Sequence, residues 1–229
     1  MLRRSTDANN NIPHSIKLNG YYDLPFGRGK RFGSDWSPLV DGFAGGWSMS
    51  VTGRMFKRVL AIDDAVLVGM TLDELQSEYK FRIDGSKTVT MLPDDIILNT
   101  RRAYNTSNST ANGYSASLGA PEGRYIAPAN SATCIQMRPG DCAPRSVLLL
   151  SPWFNRVDFG VAKRVGVGGT KNFEVRFDLL NLFDTPNFTP VNNPGSGENI
   201  FRTTSAYTDA SNTYDPGGRI GQLMVRFNW

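Results

Sequence analysis

The sequence predicts an all-β fold: an antiparallel, up-and-down sheet of about five strands, interrupted by a long excursion that carries short helices. Three observations lead there. Five stretches alternate apolar and polar residues with period two, the spacing at which successive strand side chains point to opposite faces. The connections between them run short, long, short, long. No run approaches the ~20 apolar residues that a membrane-spanning helix needs.

Composition fits many strands and turns: 229 residues, 11% aromatic, 23 glycines. Mean hydropathy is only −0.32, which alternating strands produce by averaging a greasy and a wet face. The net charge of +4 is spread among interleaved acids and bases, so no nucleic-acid footprint is present. His14 is the single histidine, and no ligand cluster for a metal, or site for a cofactor, is expected. Cys134 and Cys142 lie close together in a Pro/Gly-rich stretch; a local disulfide in an oxidising compartment is the preferred reading, with two free thiols as the alternative.

The first strand is expected near 14–25. Ile16, Leu18, Tyr22 and Leu24 share one face, with Gly20 between them; Ser15, Lys17, Asn19, Tyr21 and Asp23 share the other. Pro25, which has no N–H for a ladder, ends it. Phe26-Gly-Arg-Gly-Lys-Arg-Phe32 then reads as a turn rich in glycine and positive charge. The second strand is expected near 46–56, with Trp47, Met49, Val51 and Met55 facing one way and Ser48, Ser50, Thr52 and Arg54 the other. Trp47 stands at its start, where an interfacial aromatic belongs.

Residues 57–152 are too long for a structureless loop and read as an excursion with its own elements. Thr71-Leu-Asp-Glu74 is a capping box that starts a short helix. Lys87 to Met91 reads as a short strand. Pro93-Asp-Asp, followed by Ile-Ile-Leu-Asn-Thr-Arg-Arg-Ala-Tyr, puts acids early and arginines late, as a helix dipole favours. Asn105 to Gly119, rich in Ser, Thr and Asn, is a surface loop.

The clearest hairpin joins strands near 154–165 and 171–183. Val157, Phe159 and Val161 alternate with Arg156, Asp158, Gly160 and Ala162; after a turn at Gly166–Thr170, Phe173, Val175, Phe177 and Leu179 alternate with Asn172, Glu174, Arg176 and Asp178. Charge predicts the register: Asp158 opposite Arg176 and Arg156 opposite Asp178, which also sets Val157 against Phe177, Phe159 against Val175 and Val161 against Phe173. Such pairs each contribute about 0.2–1 kcal/mol across strands. A second excursion spans 185–218. The last strand, near 219–229, places Leu223, Val225, Phe227 and Trp229 on one face and Gln222, Arg226 and Asn228 on the other, so the apolar stripe runs to the terminal residue.

Alternation alone fits a soluble sandwich, whose apolar face meets a second sheet, as well as an outer-membrane β-barrel, whose apolar face meets lipid. The alternating connections, the aromatics near strand ends (Trp47, Trp153, Phe154, Phe183, Trp229) and the terminal stripe favour a segment of the barrel. A chain ending in the periplasm would then put the turns at 26–32 and 166–170 in the periplasm, and 57–152 and 185–218 outside the cell.

His14-Ser-Ile-Lys-Leu-Asn-Gly-Tyr-Tyr-Asp-Leu-Pro-Phe-Gly-Arg-Gly-Lys-Arg-Phe32 resembles a segment late in the barrels of TonB-dependent receptors of the Oar-like type, which carry an N-terminal carboxypeptidase-regulatory-like domain and a plug. Gly45-Gly-Trp47, Gly123 to Asn130, Phe173 to Phe188 and Gly218 to Trp229 are similar to that family in the same order. The resemblance implies the last five strands of a barrel of about 22, in the outer membrane of a Gram-negative bacterium. The implied partners are outer-membrane lipid, the remaining strands and plug, TonB and the barrel-assembly machinery. Met1-Leu-Arg-Arg leads straight into polar residues, and five strands leave two open edges, so the chain is expected to be a piece of a longer protein.

The implied function is substrate uptake, with Arg101, Arg102, Tyr104, Arg124 and Tyr125 as loop residues that would touch the substrate; ordinary loop packing is the plainer alternative for each. A soluble β-sandwich binding or adhesion module is the competing reading, and it requires Phe159, Phe173, Val175 and Phe177 to be covered by protein. An enzyme is not expected. Gly166-Val-Gly-Gly-Thr-Lys171 lacks phosphate-loop spacing, and Asp63-Asp64 and Asp94-Asp95 read as a turn and a helix start.

Overall fold

The computed structural model describes residues 11–83, 85, 88–129, 146–204 and 218–229. Cys134 and Cys142, and hence the expected disulfide, lie outside the described residues. In chain order the elements are β1 (His14–Asp23), α1 (Pro38–Ala44), β2 (Trp47–Lys57), β3 (Val59–Ile62), β4 (Ala65–Val68), α2 (Leu72–Glu78), β5 (Arg82–Ile83), β6 (Val89–Thr90), α3 (Asp94–Tyr104), β7 (Tyr125–Pro128), β8 (Val147–Leu150), β9 (Phe154–Gly168), β10 (Lys171–Leu180), β11 (Arg202–Thr203) and β12 (Ile220–Asn228). Among the described residues no helix is long and apolar enough to cross a membrane. The chain divides into two compact units.

One unit is the five-stranded sheet, in the order β1-β2-β9-β10-β12. Its strands fall where the alternation places them. The β2–β9, β9–β10 and β10–β12 pairs are antiparallel. Leu24, just past β1, donates its N–H to the carbonyl of Trp47 at the start of β2, so this pair is antiparallel too. Period two holds across the ladders. Val51, Phe159 and Leu179 stand on one row, and Met49, Val161, Phe177 and Leu223 on the next.

The β9–β10 hairpin departs from the expected register. Arg176 pairs with Ala162, Asp178 with Gly160, Phe177 with Val161 and Phe173 with Val165, so Asp158 and Arg176 stand on different rungs. The turn is tighter than 166–170. β9 continues to Gly168, and Gly169-Thr170 alone reverse the chain, with φ of 117° at Gly168 and 59° at Gly169, values that suit glycine in a short hairpin loop. A bulge between Lys171 and Asn172 completes the shift. The register sets Glu174 opposite Arg164, at 2.7 Å, while Arg156 and Asp158 pair along their own strand, as do Arg176 and Asp178.

A second departure is α1, in a stretch to which the sequence reading assigned no element. Ser37 accepts from the Val40 amide as N-cap, Pro38 opens the helix, and Asp41 lies in its first turn.

The other unit holds most of the buried apolar side chains. Two ribbons, β3–β8 and β4–β7, and a small sheet β11-β6-β5 surround a core of Leu60, Ile62, Leu75, Met91, Ile96 and Phe201. α2 begins with the expected capping box: the Glu74 amide donates to Thr71 Oγ1, and the Thr71 amide to Glu74 Oε2. α3 follows Pro93, which stands at the N-cap rather than within the first turn, and buries Ile96, Ile97, Thr100 and Ala103. The Thr100 hydroxyl accepts from the Ile126 amide at 3.0 Å, satisfying a buried donor of β7. Ile200, Phe201 and β11, from the second excursion, complete this core, so the two excursions form one folded body.

Candidate functional site

The sheet has its polarity reversed relative to a soluble protein. Its apolar face is open: Phe173 is 38% exposed, Phe177 45%, Val225 57% and Leu223 67%. Its polar face holds the buried side chains: Arg156 is 7% exposed and Ser48 9%. The same alternation therefore serves an environment in which apolar atoms look outward.

The polar face is an ordered charge network. Arg156 Nε donates to both oxygens of Asp158 at 2.9 and 3.2 Å, and Asp158 also accepts the Asn181 amide at 2.8 Å. On β10, Arg176 Nε bonds both Asp178 oxygens at 2.8 and 2.9 Å. In each pair one Nε–H is shared between both carboxylate oxygens, a charge-assisted three-centre bond. Small residues make room for them. A Cβ on Gly160 would come within 2.3 Å of Asp178 Oδ1 and 2.6 Å of Ser50 Oγ. A cleft of about 360 Å³ opens on this face, lined by Lys17, Asn19, Thr52, Arg54, Arg156 and Asp158. Arg54 stands directly opposite Arg156. Three cations against one carboxylate give the cleft a positive bias, which favours anionic groups.

Five residues singled out in the sequence lie in the other unit, on α3 and around the start of β7. Arg124 bridges two acids, with Nε 2.8 Å from Asp95 and Nη1 3.3 Å from Glu78. The Arg124 guanidinium holds the Asp95 carboxyl below the usual range. Tyr125 is buried with Ala103 and Ala127, and Tyr104 packs against that cluster. Burial, reinforced by the charge of Asp64, pushes the Tyr104 hydroxyl up to about 12. Arg101 reaches Glu198 at 3.6 Å, and Arg102 Nη1 donates to Asn99 Oδ1 at 3.1 Å. The structure thus brings Tyr104 and Tyr125 together in packing, and pairs Arg101, Arg102 and Arg124 with separate partners. Asp64, with φ of 50°, is a turn residue, and Asp94 and Asp95 open α3.

Three residues were not singled out as functional in the sequence. Ser50 and Gly160 clear the polar face; the signal was small residues alternating with apolar ones beside charged rows. Lys163 lies on the apolar face, paired with Trp47. Its Nζ donates to the carbonyls of Gly45 and, at 3.4 Å, Asp41, and sits 5.5 Å from the Trp47 ring centroid.

No curated protein and no solved structure matches the chain. A family model described as an outer membrane beta barrel domain matches residues 2–222, nearly all of it. With its apolar face open and its charges gathered on the other, the sheet has the polarity that such a barrel needs, and the chain belongs to the outer membrane beta barrel domain family.

Proposed function

We propose that this chain is the closing portion of a TonB-dependent receptor barrel of the Oar-like type, and that the complete protein takes up a substrate across the outer membrane. The observation that carries the reading is the reversed sheet: lipid-compatible residues are open on one face, and a paired, positively biased charge network covers the other. Such a face suits the wet interior of a transporter; the remaining strands would pair with the open edges of β1 and β12, and a plug would fill the interior. The role is binding and passage, with no catalytic step. The unit built from residues 57–129, 146–153 and 188–204 lies outside the cell, the β9–β10 turn faces the periplasm, and Arg101, Arg102, Tyr104, Arg124 and Tyr125 shape the outer binding surface or support it.

Two experiments test this. Sequencing the locus upstream of the Met1 codon is expected to reveal an in-frame plug and further strands; an independent start preceded by stop codons overturns the receptor assignment. In intact cells and in a Cys134→Ser/Cys142→Ser background, a membrane-impermeant thiol reagent is expected to label Ser109→Cys and to miss Thr170→Cys. The opposite pattern inverts the orientation.

The competing sandwich reading requires Phe159, Phe173, Val175 and Phe177 to be covered; Phe173 and Phe177 are open, and Phe159 and Val175 are half-buried.

A further inference from the structure

We infer that α1 is a membrane-interface anchor: a short helix fixed to the rim of the lipid-facing sheet surface at its turn end, which seats Leu39 and Phe43 among phospholipid headgroups and upper acyl chains. This rests on the membrane-spanning reading of the sheet, and not on which leaflet that rim meets.

The exposed residues come first. Leu39 and Phe43 are four apart, hence on one side of the helix, and are 88% and 83% exposed. Two large apolar side chains so open on a seven-residue helix need a covering medium.

The way the helix is held indicates which medium. Its C-terminal end is tied to the apolar face of the sheet, not to the charged one. Trp47 Nε1 donates to the Phe43 carbonyl at 3.0 Å, and Lys163 Nζ donates to the carbonyls of Asp41 and Gly45. Trp47 and Lys163 are cross-strand partners on the apolar face, two residues along from the Met49–Val161 pair. A lysine pointing into lipid would be costly, but here it caps the carbonyl end of α1 beside an interfacial tryptophan. Backbone contact tightens the join. Gly46 has φ of 67°, and a Cβ there would lie 2.3 Å from the Arg164 carbonyl; a Cβ on Gly45 would lie 2.9 Å from Gly27 Cα. The exposed side chains thus stand at the end of a surface that the membrane-spanning reading of the sheet assigns to lipid.

Charge points the same way. The loop before α1 carries Arg28 and Arg31, and the Arg28 amide donates to Asp41 Oδ1 at 2.7 Å; Lys30 of the same loop lines the polar-face cleft with Asp23 and Glu174. Two basic residues in a loop tied to the helix suit a phospholipid surface, whose phosphates are anionic.

Site-directed spin labelling tests this, with the full chain in phosphatidylethanolamine/phosphatidylglycerol vesicles and a Cys134→Ser/Cys142→Ser background. Labels are placed singly at Leu39→Cys, Phe43→Cys, Lys30→Cys and, on the sheet, Leu223→Cys. Accessibility to oxygen is compared with accessibility to a water-soluble nickel relaxant. The expected result is a shift toward oxygen at 39, 43 and 223, and toward nickel at 30. If 223 reports lipid while 39 and 43 report water, or are immobilised by protein contact, the anchor is overturned and the sheet assignment stands. If all four report water, both fail.

Discussion

At the scale of single residues, the polar face is governed by what it excludes. Gly160 has Asp178, Ser50 and Arg176 within 3.3 Å of where its Cβ would be, so Gly160→Val forces a repacking of the Arg176–Asp178 clamp. Overpacking of this kind costs about 1–3 kcal/mol, and urea unfolding in detergent micelles is expected to show a loss in that range. Gly166, which meets nothing within 4 Å of its own Cβ position, is the matched control. In the other unit, Arg124 holds the Asp95 carboxyl below its unfolded value. A depressed carboxyl contributes stability above the usual carboxylate pKa and loses it as pH falls through the folded value. Unfolding of wild type is therefore expected to ease more steeply between pH 5 and pH 3, roughly the carboxylate range, than that of Arg124→Met; equal slopes would count against the pairing. Such single-residue effects were partly legible: the charges were named from the sequence, but the cross-strand partners expected for Asp158 and Arg156 were wrong, because pairing depends on register.

At the scale of elements, the hairpin shows what sequence patterning determines and what it leaves open. Period two placed all five strands and both faces, since each apolar position reports its own side. Register depends instead on how many residues the turn consumes. Gly166-Val-Gly-Gly-Thr170 offers several reversals, and the structure uses the last, so Arg164 meets Glu174. Cross-linking is expected to join Val161→Cys to Phe177→Cys, neighbours in the ladder, and to fail for Val157→Cys with Phe177→Cys. α2 was readable because its capping box is local, and Thr71→Ala is expected to cost about 1 kcal/mol, seen as faster amide exchange in α2. α1 escaped notice although Ser37 and Pro38 announce a helix start; two glycines, Gly42 and Gly45, masked its short run, and its side chains pack on no core.

At the scale of the whole molecule, the reversed sheet predicts opposite tolerances on its two faces. Val225→Arg is expected to cost about 2–4 kcal/mol if its row lies at mid-bilayer, whereas Gln222→Arg on the polar face costs little; outer-membrane accumulation of the protein, read on heat-modifiability gels, separates them. The sequence did not reveal that the excursions would share a core. Ile200 and Phe201 are an isolated apolar pair in a polar stretch, and nothing local links them to Leu75 or Ile96. That shared core bears on assembly. Its two contributing stretches flank the β9–β10 hairpin in sequence, so closing it closes a loop that contains the hairpin. Once shut, it holds both stretches together, so withdrawing the later one exposes Ile200 and Phe201 to water, a local opening that costs as much as breaking a core.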